Sequence, residues 1–150
     1  MQNIALLLNN VGASQLAYYA IKRFNQLALE NTHSPFIFFE EHASPCMPAS
    51  FSFMYASEIW GYDGTIIATS LNTADKLRKC IGNKKRYFYV WELEWLRTQA
   101  NFEQIYDIYN DPSHKIIARC KDHARLLKNN FDVEVEYIMD NLDEKVLLEL

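Results

Sequence analysis

The feature that most constrains the fold is a regular alternation of short apolar runs with segments of helical periodicity. The first run, NIALLLNN (residues 3–10), is almost continuously apolar, as expected for a strand buried on both faces of a parallel sheet. The segment that follows, residues 13–31, carries apolar side chains at helical spacing from Leu16 to Leu27. Ser14 is placed to cap its start. This opening pattern predicts a buried strand followed by an amphipathic helix.

The same alternation continues to the last residue. Five more runs are predicted strands: FIFFEEH (36–42), GTIIATS (64–70), RYFYVWE (86–92), KIIARC (115–120) and VEVEYIMDN (133–141). Four further segments are predicted helices: LNTADKLRKCI (71–81), EWLRTQANFEQIYDIYND (94–111), KDHARLLKNNF (121–131) and LDEKVLLEL (142–150). Asn72 or Thr73 is expected to cap the first of these, and Gly82-Asn83 to end it. Residues 51–60, FSFMYASEIW, fit either a short helix or a strand.

Strands that alternate with helices predict βαβ units and an α/β fold. Right-handed crossovers place the helices on both faces of such a sheet. The expected architecture is therefore a doubly wound, Rossmann-like and mainly parallel sheet. The 150 residues have the length of one ordinary domain, so residues 1–150 are predicted to form a single unit.

Charge and composition exclude several classes of function. The formal net charge is −4, which argues against a protein that binds nucleic acid mainly through phosphate contacts. The three cysteines lie far apart and show neither C-x-x-C nor zinc-ligand spacing, which favours a reducing, cytoplasmic location and predicts no metal site. No apolar stretch approaches the roughly 18 residues of a membrane span.

Ligands of doubly wound sheets bind outside the carboxyl ends of the strands. The residues that follow the predicted strands form a polar rim on that edge. From this rim we select eight candidate site residues: Asn10, Gly12, Ser70, Glu92, Glu94, Arg119, His123 and Asn141. Helix capping and solvation are the alternative explanation for polar residues in such loops.

Three of these residues are candidates for acid–base chemistry. Glu92 or Glu94 is suited to act as a general base if burial against a neighbouring tryptophan raises its pKa. A surface ion pair with Arg97 or Lys85 is the alternative. His123 opens a predicted helix, where the helix dipole disfavours its charged form, so it is a second proton acceptor; a packed or solvent-facing ring is the alternative.

The loop NNVGAS (residues 9–14) is a tight turn into a helix whose free backbone N–H groups suit an anion. It contains one glycine and lacks G-x-G-x-x-G, and no Walker pattern occurs in the chain. A bound dinucleotide or other resident cofactor is therefore not predicted.

The second half of the chain resembles the N-terminal domains of GT-B-fold glycosyltransferases. RYFYVWELEWL, KIIARCKDHARLLKNNF and VEVEYIMDNLDEKVLLEL follow one another in the order typical of those domains. Residues 117–120 stand in the place of a "vI.rS" segment, and residues 137–143 in that of an "IpNGvD"-like turn. Cys120 replaces the usual serine, and the turn lacks both Pro and Gly. The first loop also lacks the family's usual glycine richness.

The resemblance implies transfer of a sugar from a nucleotide-sugar to an acceptor hydroxyl. Glu92, Glu94 or His123 would activate or orient the acceptor, Asn10 and Gly12 would line the loop near the reacting centre, and Arg119 would approach the phosphate side. In this family the donor is held mainly by a second, C-terminal domain. A protein partner or another copy of the chain is the expected source of that half.

Two other functions fit the same residues. The first is a non-catalytic binding module that keeps the fold and recruits a sugar, a nucleotide or a protein. The second is a small flavodoxin- or receiver-like domain that binds an anion at NNVGAS. A receiver domain needs clustered acidic residues after its first strand, whereas Asn9 and Asn10 stand there, so we rank this function last.

Overall fold

Seven parallel strands form one twisted layer with helices on both sides. This computed structural model describes residues 2–82, 84–99 and 101–150. The strands are β1 (Gln2–Leu8), β2 (His33–Phe39), β3 (Ser52–Tyr55), β4 (Thr65–Ala68), β5 (Lys85–Val90), β6 (Lys115–Ala118) and β7 (Val135–Ile138). The helices are α1 (Gln15–Glu30), α2 (Leu71–Arg78), α3 (Phe102–Tyr109), α4 (Lys121–Phe131) and α5 (Glu144–Glu149). Two 3-10 helices span Ala56–Gly61 and Glu94–Leu96.

The strand order is β3-β2-β1-β4-β5-β6-β7, so the chain reverses its direction of winding between β1 and β4. Leu6 in β1 lies opposite Ile37 in β2 on one side and Ile67 in β4 on the other. The apolar faces of α1 and α5 pack on one side of the sheet, and those of α2, α3 and α4 pack on the other. The predicted α/β, doubly wound, Rossmann-like architecture is confirmed.

The core has two halves that meet in the central strands. Five successive residues of β1, from Ile4 to Leu8, are buried. Leu6 belongs to the cluster under α1, whereas Leu7 belongs to the cluster under α2. This is why the first apolar run of the sequence is continuous rather than alternating.

The ambiguous segment 51–60 contains both kinds of structure. Residues 52–55 form β3, an edge strand parallel to β2, and a 3-10 helix follows directly. The rings of Phe51 and Phe53 lie 5.2 Å apart, and Phe51 also packs edge-on against Phe24 of α1. These contacts anchor the segment beside the sheet.

The predicted helix over residues 94–111 is wrong in its first half. Only a 3-10 helix forms at Glu94–Leu96, and α3 begins at Phe102, where the Asn101 side chain accepts a hydrogen bond from the Glu103 N–H. Tertiary packing overrides the helical pattern here, because Trp95 turns inward against Phe131, with ring centroids 5.0 Å apart. Ala100 lies outside the described residues.

The predicted cap of α2 is also wrong. Ser70, rather than Asn72 or Thr73, is the N-cap, and its hydroxyl accepts from the Thr73 N–H at 3.2 Å. Thr73 completes a capping box, because its hydroxyl accepts from the Ser70 N–H at 2.9 Å. The strand ends at Ala68, two residues earlier than the apolar run suggests, which frees Ser70 for this role. The helix ends at Arg78, and Asn83, predicted to help end it, lies outside the described residues.

No helix in the described part of the chain is both long and apolar enough to cross a membrane.

Gly64 makes a close approach that only glycine permits. Its φ is +142°, and a Cβ placed there would lie 2.6 Å from the Asn3 carbonyl oxygen of β1. We expect Gly64→Ala to lower the free energy of unfolding by about 2 kcal/mol or more, from backbone strain and displacement of β1. Gly61→Ala is the matched control, because nothing lies within 4 Å of its Cβ position. Urea unfolding of both variants checks this, and equal stabilities would contradict it.

His114 is a buried ionisable group on the amino-end side of the sheet. It is 7% exposed, its ring is edge-on to Phe88, and burial lowers its pKa below the ordinary value, opposed in part by Asp111. The unfolded chain therefore takes up a proton here more readily than the folded chain. Stability from neutral His114 is fully present above about pH 6.5 and is lost as the pH falls below it.

We expect His114→Gln to flatten the loss of thermal stability between about pH 7.5 and pH 5 relative to the parent protein. His42→Gln is the control, because His42 is exposed. The measurement is the melting temperature of all three proteins across that range. An unchanged slope in His114→Gln would show that other groups cause the dependence.

Candidate functional site

A cavity of about 300 Å³ opens at the carboxyl edge of the sheet, where the strand order reverses. Residues after β1, β4, β5 and β6 and at the start of α1 surround it. Its lining residues are Leu8, Asn9, Asn10, Ser14, Gln15, Leu16, Thr69, Ser70, Trp91, Glu92, Glu94 and Arg119. A ligand crevice is expected at this position in doubly wound sheets.

Arg119 lies over the ring of a buried tryptophan at one end of the cavity. Its guanidinium carbon is 3.8 Å from the centre of the Trp91 ring, and Trp91 is only 6% exposed. The Nη2 group donates to Asn141 Oδ1 at 3.1 Å and to Gln15 Oε1 at 3.4 Å. Contact with the ring and hydrogen bonds to two amide oxygens therefore hold the guanidinium in place.

Glu94 occupies the other end and closes the start of α2. Its Oε1 accepts from the Leu71 N–H at 2.8 Å, so a carboxylate caps the helix N-terminus. Burial raises the pKa of Glu94 above the ordinary value, and nearby Glu92 adds to this, while the Leu71 N–H acts in the opposite direction. A raised pKa is one part of the condition we set for a general base, and burial supplies it at Glu94.

Glu92 has a different environment. Its carboxylate forms an ion pair with Arg97, and both side chains are at least half exposed. This is the surface ion pair that the sequence offered as the alternative to a catalytic role. The Glu92 carboxylate is thus engaged by a guanidinium at the protein surface, whereas that of Glu94 accepts from a backbone N–H.

The polar residues between the two ends hold one another in place. The Ser70 hydroxyl lies 3.4 Å from Asn9 Oδ1, and the Thr69 hydroxyl donates to the Leu7 carbonyl oxygen at 2.8 Å. Asn10 Oδ1 accepts from the Gly12 N–H at 3.0 Å, which stabilises the turn between β1 and α1. These bonds join the carboxyl ends of β1 and β4.

The structure brings five of the eight predicted site residues into the cavity lining: Asn10, Ser70, Glu92, Glu94 and Arg119. The remaining three do not line it. Gly12 lies in the supporting turn, Asn141 contacts Arg119, and His123 lies in the first turn of α4.

Sequence reasoning missed Trp91 and Gln15 as parts of this site. Trp91 directly follows β5, so the rule that located Glu92 also applied to it. A large apolar ring at that position is, however, more typical of a core residue than of a ligand site. Gln15 approaches Arg119 across 104 positions of the chain, and no local pattern signals such a contact.

The arrangement provides opposite chemical properties at its two ends. The α1 side presents a guanidinium, and the α2 side presents a carboxylate with raised pKa. The first suits an oxyanion and the second suits the proton of a hydroxyl group. Within the described residues, His, Cys, Asp and Glu do not gather in a group of three or more that could hold a metal ion.

Comparison of the chain with protein-family models, with curated proteins and with solved structures finds no match.

The cap that Glu94 provides has a measurable contribution to stability. We expect Glu94→Ala to lower the free energy of unfolding by about 0.5–2 kcal/mol, because the Leu71 N–H loses its acceptor. Glu94→Gln keeps a carbonyl oxygen for that N–H and should cost less. Chemical denaturation of both variants at neutral pH tests this, and an alanine variant as stable as the glutamine variant would contradict it.

Proposed function

We propose that this chain is a glycosyltransferase-like domain whose carboxyl-edge cavity binds the acceptor of a sugar transfer. The observation that carries the proposal is Glu94, a mostly buried carboxylate with a raised pKa in a cavity at the switch point of the sheet. A general base needs access to the substrate and some affinity for a proton; Glu94 lines the cavity and has a raised pKa, which supports this role. The sequence resemblance to GT-B N-terminal domains supplies the reaction class.

In the proposed reaction an acceptor hydroxyl attacks the anomeric carbon of a nucleotide-sugar. Glu94 takes the hydroxyl proton, the bond from the anomeric carbon to the phosphate oxygen breaks, and the nucleotide leaves with that electron pair. Glu92 is paired with Arg97 and His123 lies outside the cavity lining, so Glu94 is the preferred base among the three candidates. In GT-B enzymes a second domain holds most of the donor, so a further domain, a protein partner or a second copy would supply that side here.

A cytoplasmic location belongs to the same proposal. Cys46, Cys80 and Cys120 are all free thiols in the structure, which fits a reducing compartment.

The second candidate is a non-catalytic binding module with the same cavity. The hydrogen bond from Leu71 to Glu94 favours it, because this bond gives the buried carboxylate a structural reason to exist without catalysis. Such a module would bind a ligand saturably and catalyse no reaction.

The experiment is binding followed by turnover. Purified protein is melted with a panel of nucleotides, nucleotide-sugars and sugars, where ligand at about a hundred times Kd adds roughly 2.7 kcal/mol to stability. Any pair of donor and acceptor that binds is then assayed for sugar transfer. Binding without transfer in the presence of every bound donor would support the second candidate.

Where transfer occurs, we expect Glu94→Gln to lower its rate by about 10²–10⁴-fold with little change in acceptor affinity. The amide can still accept from Leu71 but cannot remove a proton. Glu103→Gln is the matched control, because Glu103 is exposed on α3 outside the cavity. A Glu94→Gln variant with the parental rate would exclude Glu94 as the base.

A further inference from the structure

We propose that the ligand of the cavity is acidic: it carries a carboxylate or phosphate group that binds Arg119, beside hydroxyl groups that face Glu94. Calling this ligand the acceptor rests on the function proposed above. The anion-binding role of Arg119 rests on the geometry around its guanidinium and can be tested without any sugar transfer.

The first argument is that Arg119 has no acidic partner. Among the described residues Arg78, Arg97 and Arg125 each form an ion pair with a carboxylate, whereas Arg119, like Arg23 and Arg86, is in none of the ion pairs. Its two hydrogen-bond partners, Gln15 and Asn141, are neutral amides. A half-buried guanidinium whose charge is balanced by no carboxylate is suited to an external oxyanion.

The second argument is that the guanidinium is held ready for an anion. The Trp91 ring supports it, with the guanidinium carbon 3.8 Å from the ring centre. Hydrogen bonds to the described residues engage only Nη2. Since guanidinium carries five N–H donors, the Nε–H and the two Nη1–H groups remain to donate to the oxygens of a carboxylate or phosphate.

The third argument concerns the carboxylates of the same cavity. Glu92 is paired with Arg97, and Glu94 accepts from the Leu71 N–H. Neither is within ion-pair distance of Arg119 in the described structure. The first turn of α1, which also lines the cavity, contains no acidic residue, so no carboxylate on that helix opposes an anion beside Arg119.

The size of the cavity limits the ligand. About 300 Å³ is at the lower end of the range for small-molecule sites, which suits one sugar-sized ring with its substituents. A uronic acid and a sugar phosphate share the required chemistry, an oxyanion next to several hydroxyl groups. The net charge of the chain is −4, so general attraction does not favour anions, and a preference for them must arise locally.

The test is an NMR titration of ¹⁵N-labelled protein with glucose, glucuronate, glucose 6-phosphate and inorganic phosphate. We expect the two acidic sugars to bind about tenfold or more tightly than glucose, because a charged hydrogen-bonded pair is added. Inorganic phosphate should shift the Arg119 Nε–H and Trp91 indole signals saturably. Whichever of glucuronate and glucose 6-phosphate binds more tightly shows whether the preferred anionic group is a carboxylate or a phosphate.

Two variants locate the effect. Arg119→Gln should remove the preference for acidic sugars and the phosphate-induced shifts, while Arg125→Gln, the same charge change on exposed α4, should keep both. The melting temperature of each unliganded variant shows whether it is folded. The comparison of acidic with neutral sugars in the parental protein does not depend on any variant.

Several results would overturn the inference. Equal affinity for glucose and its acidic analogues would do so while leaving an acceptor site in place. A preference that survives Arg119→Gln would place the anion elsewhere. Failure of all four probes to bind would overturn both the anion site and the acceptor site. Tight binding of acidic sugars with no transfer in the presence of every bound donor would instead uphold this inference and remove the proposed catalysis.

Discussion

The burial of β1 on both faces is the constraint on which the rest of the structure depends. A strand with apolar side chains from Ile4 to Leu8 needs helices above and below the sheet, and the chain meets this by winding in both directions from β1. Helix α1 follows the carboxyl end of β1 and packs on one face of the sheet. Helix α2 follows the neighbouring strand β4 and packs on the other face. The crevice between these two helix starts is therefore a consequence of core burial rather than a separate feature.

The candidate base is tied to that same architecture. Glu94 comes from the segment after β5, yet it caps α2, so one hydrogen bond joins the site to the helix packed on the sheet. The inward turn of Trp95 against Phe131, one residue later, holds the segment in position. Replacing Glu94 thus changes a helix cap and a cavity wall together, which is why glutamine, rather than alanine, separates chemistry from stability.

Sequence patterns predicted what depends on local periodicity and failed where long-range contacts decide. The helix predicted over 121–131 matches α4, and the strand predicted at 115–120 begins where β6 does, whereas the strand predicted at 36–42 lies three residues earlier, at 33–39. The helix over 94–111 was predicted too long. The hydrogen bond from Leu71 to Glu94 and the packing of Trp95 against Phe131 are long-range contacts that no local sequence pattern indicates. The carboxyl-edge rule found the arginine of the site, but its placement on a tryptophan and beside Gln15 depends on contacts 28 and 104 positions apart.

The two ends of the cavity are supported in different ways, and this decides what kind of ligand they distinguish. Arg119 is fixed by stacking on a buried ring, so its orientation costs little when an anion arrives. A neutral ligand of the same size would offer the guanidinium only uncharged acceptors, which bind it less strongly than an oxyanion does. Sites built to hydrogen-bond a group reject analogues that lack it far more strongly than apolar pockets reject a missing methylene. The proposed selectivity for acidic ligands therefore depends on Arg119 whether Glu94 acts as a base or only as a helix cap.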